Sequence, residues 1–241
     1  MNKDIIFFYG IKFHNYTFSR ILSKMQYGGY LVAPAASSLS KILINRQYYN
    51  ALRNSNISIF DSGFFCILFF LKKGIRVKKF SGYLFLKKFL KLNFLGKKIL
   101  LIDPNKLESD INRKFLREKR INVYNYIAPI YKKNFKDAKL CEYIKRVKPD
   151  YILINIGGEK QEILAYEINK VFKKIPIICT GAAIGFLTYG YHKKYQAPIN
   201  DTIDKLYLGW AVRILFNPFQ HWKRFIESIK LLRFFFKFPF I

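Results

Sequence analysis

One turn, N-I-G-G-E-K-Q-E at residues 155–162, combines paired glycines with charged and polar side chains that could bind a ligand. The apolar run at residues 151–154 precedes this turn and predicts a buried strand. Gly157 and Gly158 interrupt the run, and a helical pattern begins at Gln161. A strand, a glycine turn and a helix together present free backbone N–H groups that can bind an anion. The alternative is that the turn only connects a parallel strand to its crossover helix.

A second candidate is Asp61, which follows the predicted strand 57–60 and precedes the apolar segment 64–71. A carboxylate at the end of a strand can take a proton from a hydroxyl group as a general base. The alternative is that Asp61 only caps the following helix. Asp103 is the other acid that follows a predicted strand in a comparable way.

Predicted strands and helices alternate along the chain as far as about residue 180. This alternation predicts βαβ units and an α/β fold with a doubly wound, mostly parallel, Rossmann-like sheet flanked by helices. Ligands bind outside the carboxyl ends of such strands, so we expect the loops 33–38, 61–63 and 157–162 and the turn at Gly181 to meet. We predict strands at 5–9, 30–33, 57–60, 97–102, 122–126, 151–154 and 176–180. We predict helices at 17–26, 64–71, 107–118 and 135–147 and a helix that begins at Gln161. A further helix, capped by Ser37 or Ser38, would place Leu39, Ile42, Leu43 and Leu52 on one face.

The composition of the sequence changes near residue 188. This change predicts a catalytic body at 1–187 and a basic, amphipathic C-terminal appendage at 188–241. Asn217 and Pro218 are residues typical of a helix N-cap and first helical position. From Lys205 to the end, seven Lys or Arg residues accompany a single acid, Glu227. Together with the aromatic residues at 234–240, this composition predicts a membrane-surface element, which we expect to act also as a lid over the active site. Two helices are predicted in this appendage, and the second begins at Asn217 and Pro218. Its apolar stripe consists of Trp222, Phe225, Ile226, Ile229 and Leu232.

Composition narrows the classes of protein and partner. The chain has 241 residues and a formal charge of +28, which favours nucleic acid, anionic lipid or phosphate-bearing substrates as partners. Its cysteines, Cys66, Cys141 and Cys179, form no C-x-x-C pair, which argues for a reducing compartment. No apolar run approaches the roughly 20 residues of a membrane span, so we expect a soluble or peripheral protein. No D-x-D or other metal-ligating motif occurs, and no cofactor is expected.

Several motifs together resemble the bacterial N-acetylmannosaminyltransferase family of the WecG/TagA/CpsF type, from about Phe7 to Phe225. Asp61-Ser62-Gly63 matches a strand-end aspartate followed by glycine, and residues 157–162 match G-x-P-x-Q-E with Glu159 in place of proline. Gln196-Ala197-Pro198 matches R-A-P. The closing pattern, G-L-E-W-x-x-R, E-P and W-R-R-Y, is matched without a gap in its spacing by Trp210, Arg213, Asn217-Pro218 and residues 222–225.

The chain departs from the family pattern at several polar positions. The T-x-N motif on the second strand is Ala33-Pro34-Ala35 here, and the arginine of R-A-P is Gln196. A later arginine is Gln220, and the aspartate of the family's G-x-G-x-x-x-D segment is Gly185. These departures leave open a catalytically degenerate family member that binds a sugar nucleotide without turnover.

The resemblance implies metal-free transfer of a sugar with inversion at the anomeric carbon, from a UDP-sugar to a polyprenyl-diphosphate-linked acceptor. Asp61 would be the general base, Gln161 and Glu162 would bind ribose or sugar hydroxyls, and Arg213 and Arg224 would neutralise the diphosphate. The alternatives are ordinary helix-end polarity for the first pair and a solvated basic face for the arginines. The expected substrate-binding residues are Gly157, Gly158, Lys160, Gln161, Glu162, Gly181, Gln196, Arg213 and Arg224.

The resulting hypothesis is a peripheral glycosyltransferase on the cytoplasmic face of a bacterial membrane. It would transfer an N-acetylhexosamine-type sugar in cell-surface polysaccharide synthesis. An anionic membrane surface is an expected partner, and a second copy of the chain is a further candidate. A nucleic-acid-binding protein is the remaining class, and the spread of basic residues and the lack of a recognition motif argue against it.

Overall fold

The computed structural model describes residues 4–188, 211–212, 215 and 218–237. Strands and helices alternate through most of this part of the chain, as the sequence predicts. The elements are β1 (Ile5–Phe8), β2 (Ile11–His14), α1 (Phe18–Met25), β3 (Tyr30–Val32), α2 (Ala36–Leu39), α3 (Arg46–Arg53), β4 (Ile57–Ser58), α4 (Gly63–Lys73), α5 (Gly82–Phe89), β5 (Lys98–Asp103), α6 (Lys106–Glu118), β6 (Asn122–Ile127), α7 (Ala138–Val147), β7 (Tyr151–Ile154), α8 (Lys160–Val171), β8 (Ile177–Cys179), α9 (Ala183–Leu187), α10 (Pro218–Ile229) and α11 (Leu232–Lys237).

The main sheet has six parallel strands in the order β4-β3-β8-β7-β5-β6, so the predicted Rossmann-like α/β fold is confirmed. Alternate residues of each central strand belong to two separate apolar clusters. In β7, for example, Ile152 and Ile154 belong to one cluster and Leu153 belongs to the other. Burial on both faces explains why these strands are continuous apolar runs in the sequence.

The structure corrects several predicted elements. The helix expected after Ser37 or Ser38 is two helices, α2 and α3, and both serines lie inside α2. Asn45 caps α3, and the side chain of Leu43 is exposed instead of sharing the apolar face. The predictions missed β2, which pairs with β1 in a separate antiparallel hairpin, as well as α5 and α9. Each missed element has eight or fewer residues, so its periodicity gives little signal.

The two C-terminal helices pack on the body. Helix α10 lies against α2, and Phe235 of α11 is 1 % exposed in the apolar cluster that contains Phe8 and Phe69. Its ring lies 5.4 Å from each of those two rings. The expectation that the aromatic C-terminus faces a membrane is therefore wrong for Phe234 and Phe235, while residues 238–240 lie outside the described part of the chain. The division of the chain between residues 187 and 188 stays a prediction.

Burial of Phe235 predicts that the last helix contributes to the stability of the body. Phe235→Ala should lower the free energy of unfolding by roughly 3–5 kcal/mol, because it removes a large buried ring and leaves a cavity. Phe7→Ala is the matched control, since Phe7 is 54 % exposed. We expect the control to change stability by less than about 1 kcal/mol in chemical denaturation. Equal effects of the two substitutions would contradict the packing of α11.

Candidate functional site

Asp61 lies at the carboxyl edge of the main sheet, just beyond β4. It does not cap the helix that follows it, because the Ser62 hydroxyl accepts the hydrogen bond from the Phe65 N–H in that position. Instead, Asp61 Oδ1 accepts a hydrogen bond of 2.7 Å from the backbone N–H of Gly82, in the first turn of α5. The half-buried carboxylate is therefore held at the N-terminus of a helix that the sequence analysis missed.

Gly82 lies close to the residues that follow three neighbouring strands, β4, β3 and β8. A Cβ atom on this glycine would lie 3.2 Å from Cβ of Thr180, which follows β8, and 3.3 Å from Cβ of Ala33, which follows β3. Such contacts leave little room for a side chain, so the backbone of α5 can approach both strand ends closely. Asp61, bonded to Gly82, thus lies beside the carboxyl ends of β4, β3 and β8. The sequence carries one signal for this helix, Ser81 before an apolar segment, which is typical of an N-cap.

The glycine turn between β7 and α8 is exposed at its tip. Gly157 and Gly158 are both exposed, and no acceptor among the described residues binds their backbone N–H groups. Lys160, the first residue of α8, is also exposed. The turn therefore presents unpaired N–H groups and a positive charge at a helix N-terminus, an arrangement suited to an anion.

Gln161 and Glu162 lie beneath the turn and are 3 % and 1 % exposed. Gln161 Oε1 accepts a hydrogen bond of 2.8 Å from the N–H of Gly181, and its Nε2 donates to Glu162 Oε1 at 3.1 Å. The structure thus joins the glycine turn to the β8–α9 turn through Gln161. Direct contact of either side chain with sugar or ribose hydroxyls stays a prediction.

The carboxyl of Glu162 has an unusual environment for an acid. Burial raises its pKa to about 7, although hydrogen bonds to it act in the opposite direction. Its Oε2 atom has no hydrogen-bond partner among the described residues. A protonated carboxyl is the form that such burial favours.

Asp103, the other strand-end acid, occupies a different environment from Asp61. It is fully buried at the end of β5. Its Oδ1 accepts hydrogen bonds of 2.8 Å from Nδ2 of Asn112 and of Asn155, and its Oδ2 accepts one of 3.1 Å from Nδ2 of Asn125. Burial raises its pKa despite these bonds. A carboxylate enclosed in this way cannot reach a substrate hydroxyl, so Asp103 is not a candidate for the base, and the role of Asp61 stays a prediction.

The remaining predicted site residues belong to the C-terminal part of the chain. Arg224 is exposed on α10, and the ring of its neighbour Phe225 lies 6.3 Å from the ring of Phe64, at the start of α4. Helix α10 therefore lies near the N-terminus of α4, the helix that follows Asp61. Gln196 and Arg213 lie outside the described residues.

Comparison with known protein families identifies the class to which this fold and site belong. The profile described as the glycosyl transferase WecG/TagA/CpsF family matches residues 6–239, nearly the whole chain. Comparison with curated proteins found no match. The chain belongs to the WecG/TagA/CpsF family and is a glycosyltransferase, which acts on a sugar donor and an acceptor.

The raised pKa of Glu162 predicts how the free energy of unfolding depends on pH. In the unfolded chain this carboxyl ionises near its ordinary value of roughly 4.3, whereas the folded protein keeps the proton up to about pH 7. Its contribution to stability is therefore complete below the unfolded pKa and is lost as the pH rises through the folded pKa, by roughly 3–4 kcal/mol in total. Glu162→Gln should remove this loss in chemical denaturation between about pH 4 and pH 8.

The control for this prediction is Glu167→Gln, on the same helix, where the carboxylate pairs with Lys170 at the surface. We expect the control to keep the pH dependence of the unsubstituted protein. A Glu162→Gln variant with that same dependence would show that the carboxyl is ionised in the folded protein.

Proposed function

We propose that the protein transfers an N-acetylhexosamine-type sugar, N-acetylmannosamine or its uronic acid, from a UDP-sugar to a lipid-diphosphate-linked acceptor. Transfer would invert the anomeric carbon and serve cell-surface polysaccharide synthesis. The observation that carries the proposal is the set of contacts joining Asp61, Gly82, Gly181 and the glycine turn at one edge of the sheet. In a glycosyltransferase, this arrangement has a carboxylate after β4 and a turn with exposed backbone N–H groups after β7, at the same edge of the sheet.

In the proposed reaction, the acceptor hydroxyl oxygen attacks the anomeric carbon from the face opposite the diphosphate. Asp61 takes the hydroxyl proton as the new carbon–oxygen bond forms. The bond between the anomeric carbon and the diphosphate oxygen breaks, and UDP leaves with that electron pair. The hydrogen bond from Gly82 supports this role, because it fixes the carboxylate at the edge of the sheet.

The donor would lie over the glycine turn. Backbone N–H groups of Gly157 and Gly158 and the ammonium group of Lys160 would bind the diphosphate, with Gln161 holding the turn against Gly181. Arg213 and Arg224 would neutralise charge on the leaving UDP, so the reaction would need no metal. Gln196 is proposed to contact the substrate, as its place in the R-A-P motif implies.

The base assignment predicts a specific defect in Asp61→Asn. Turnover should fall by about 10²–10⁴-fold with little change in the affinity for the UDP-sugar, because the amide cannot accept the proton. Asp110→Asn, at the surface of α6, is the control and should keep full activity. A near-normal kcat for Asp61→Asn in a transfer assay would exclude this role.

A second candidate is a family member that binds a sugar nucleotide without turnover. It is favoured by Ala33, which replaces the threonine of the family's T-x-N motif and lies beside Gly82. The polar group that the motif would supply next to Asp61 is therefore absent from this position. Tight binding of a UDP-sugar with no transfer to any acceptor would support this candidate.

We also propose that α10 contacts the cytoplasmic face of an anionic membrane. No helix in the described part of the chain is long and apolar enough to cross a membrane. In α10, however, Trp222, Ile226 and Ile229 remain 53 %, 43 % and 40 % exposed. Lys223 and Arg224 are exposed on the same helix. Exposed apolar side chains beside basic ones are typical of helices at a membrane surface.

The membrane proposal predicts that Lys223→Glu/Arg224→Glu weakens binding to vesicles that contain anionic lipid. We expect a loss of at least about tenfold, because each basic residue near such a surface contributes about 1 kcal/mol. Lys139→Glu/Lys145→Glu, with the same charge change on exposed residues of α7, is the control. Equal losses in cosedimentation would mean that only net charge matters. Full activity of the α10 variant on a water-soluble acceptor would show that α10 is only an anchor.

A further inference from the structure

Glu159, at the end of the glycine turn, has a backbone conformation that L-amino acids rarely adopt. Its φ angle is +68°, in the region that favours glycine. It directly precedes α8, and no side chain caps that helix. Something other than local preference must hold the turn in this conformation, because glutamate has no intrinsic tendency toward it.

The side chain of Glu159 is bound at both carboxylate oxygens by the segment between α2 and α3. Lys41 Nζ lies 2.7 Å from Oε1, and Asn45 Nδ2 donates to Oε2 at 3.1 Å. The Glu159 side chain is 19 % exposed and that of Lys41 is 36 % exposed. We call these three residues the Glu159 clamp. Hydrogen bonds to both oxygens fix the direction of the carboxylate as well as its position.

Two other contacts put the clamp between the glycine turn and the C-terminal helix. A Cβ on Gly158 would lie 2.9 Å from Ser38 Oγ, so α2 packs closely against the turn. On the other side, Lys230 and then Lys41 lower the pKa of the Glu227 carboxyl on α10. Lys41 is therefore within electrostatic reach of both the turn and α10.

We propose that the Glu159 clamp is a positioning device for the donor diphosphate. By holding Glu159 at positive φ, it orients the backbone N–H groups of Gly157 and Gly158 toward the phosphate oxygens. This inference rests on the proposed function and assigns roles to Lys41, Asn45 and Glu159 within it. Proline, the family residue at this position, has φ near −65° and cannot adopt the conformation seen here. The clamp is thus a feature of this chain.

The first test compares Lys41→Met with Lys41→Arg. UDP affinity is measured by calorimetry, and hydrogen exchange reports on the amides of residues 157–163. Lys41→Met should speed exchange there, weaken UDP binding about tenfold and raise the KM for the UDP-sugar, with little change in kcat at saturating donor. Lys41→Arg, which keeps the positive charge, should bind UDP with the affinity of the unsubstituted protein. Lys97→Met, which removes the Lys97–Asp150 pair at the opposite edge of the sheet, is the matched control and should change none of these.

The second test uses Glu159→Gly, because glycine adopts positive φ without help from a side chain. In this background, Lys41→Met should have little further effect on UDP affinity. An equal loss of affinity in both backgrounds would mean that Lys41 acts on the ligand by its own charge, and would overturn the inference.

The outcomes also separate the inference from the proposed function. Faster exchange in Lys41→Met with unchanged UDP affinity would overturn the positioning role alone. Failure of the unsubstituted protein to bind UDP or any UDP-sugar would overturn the proposed function and the inference together.

Discussion

All six strands of the main sheet run parallel, and helices cover both of its faces. Each chain crossover must therefore return to the same edge, so the turns that follow the strands collect at their carboxyl ends. Four neighbouring strands, in the order β4-β3-β8-β7, deliver Asp61, Ala33, Thr180 and the glycine turn to this edge. The site depends on this constraint more than on any single contact.

Within that frame, small residues and hydrogen bonds set the distances. Gly82 lets α5 approach β3 and β8 closely enough for its N–H to hold Asp61. Gln161 joins the glycine turn to Gly181, and the Glu159 clamp fixes the other end of that turn. The proposed base and the proposed donor site are thus held in place by different helices. Substitutions at one site could therefore change kcat while substitutions at the other change KM.

The sequence predicted the elements with strong local patterns. Residues 151–154 and the helix after Gly158 could be found because an apolar run, paired glycines and helical periodicity agree. The bond from Gly82 to Asp61 could not, because it joins residues 21 positions apart through a short helix. Likewise, no local signal marks Glu159 for positive φ, since its partner Lys41 is 118 positions away. Phe235 resembled a surface residue because the sequence does not show which aromatic residues it packs against.

Product analysis is the decisive test of whether this protein transfers a sugar. Purified protein would be incubated with individual UDP-sugars and a synthetic lipid-diphosphate-linked sugar acceptor, and the acceptor would be analysed by mass spectrometry. We expect the acceptor to gain the mass of a single N-acetylhexosamine-type residue while an equal amount of UDP is released. Binding of a UDP-sugar with no gain in acceptor mass, across all donors and acceptors, would contradict this expectation.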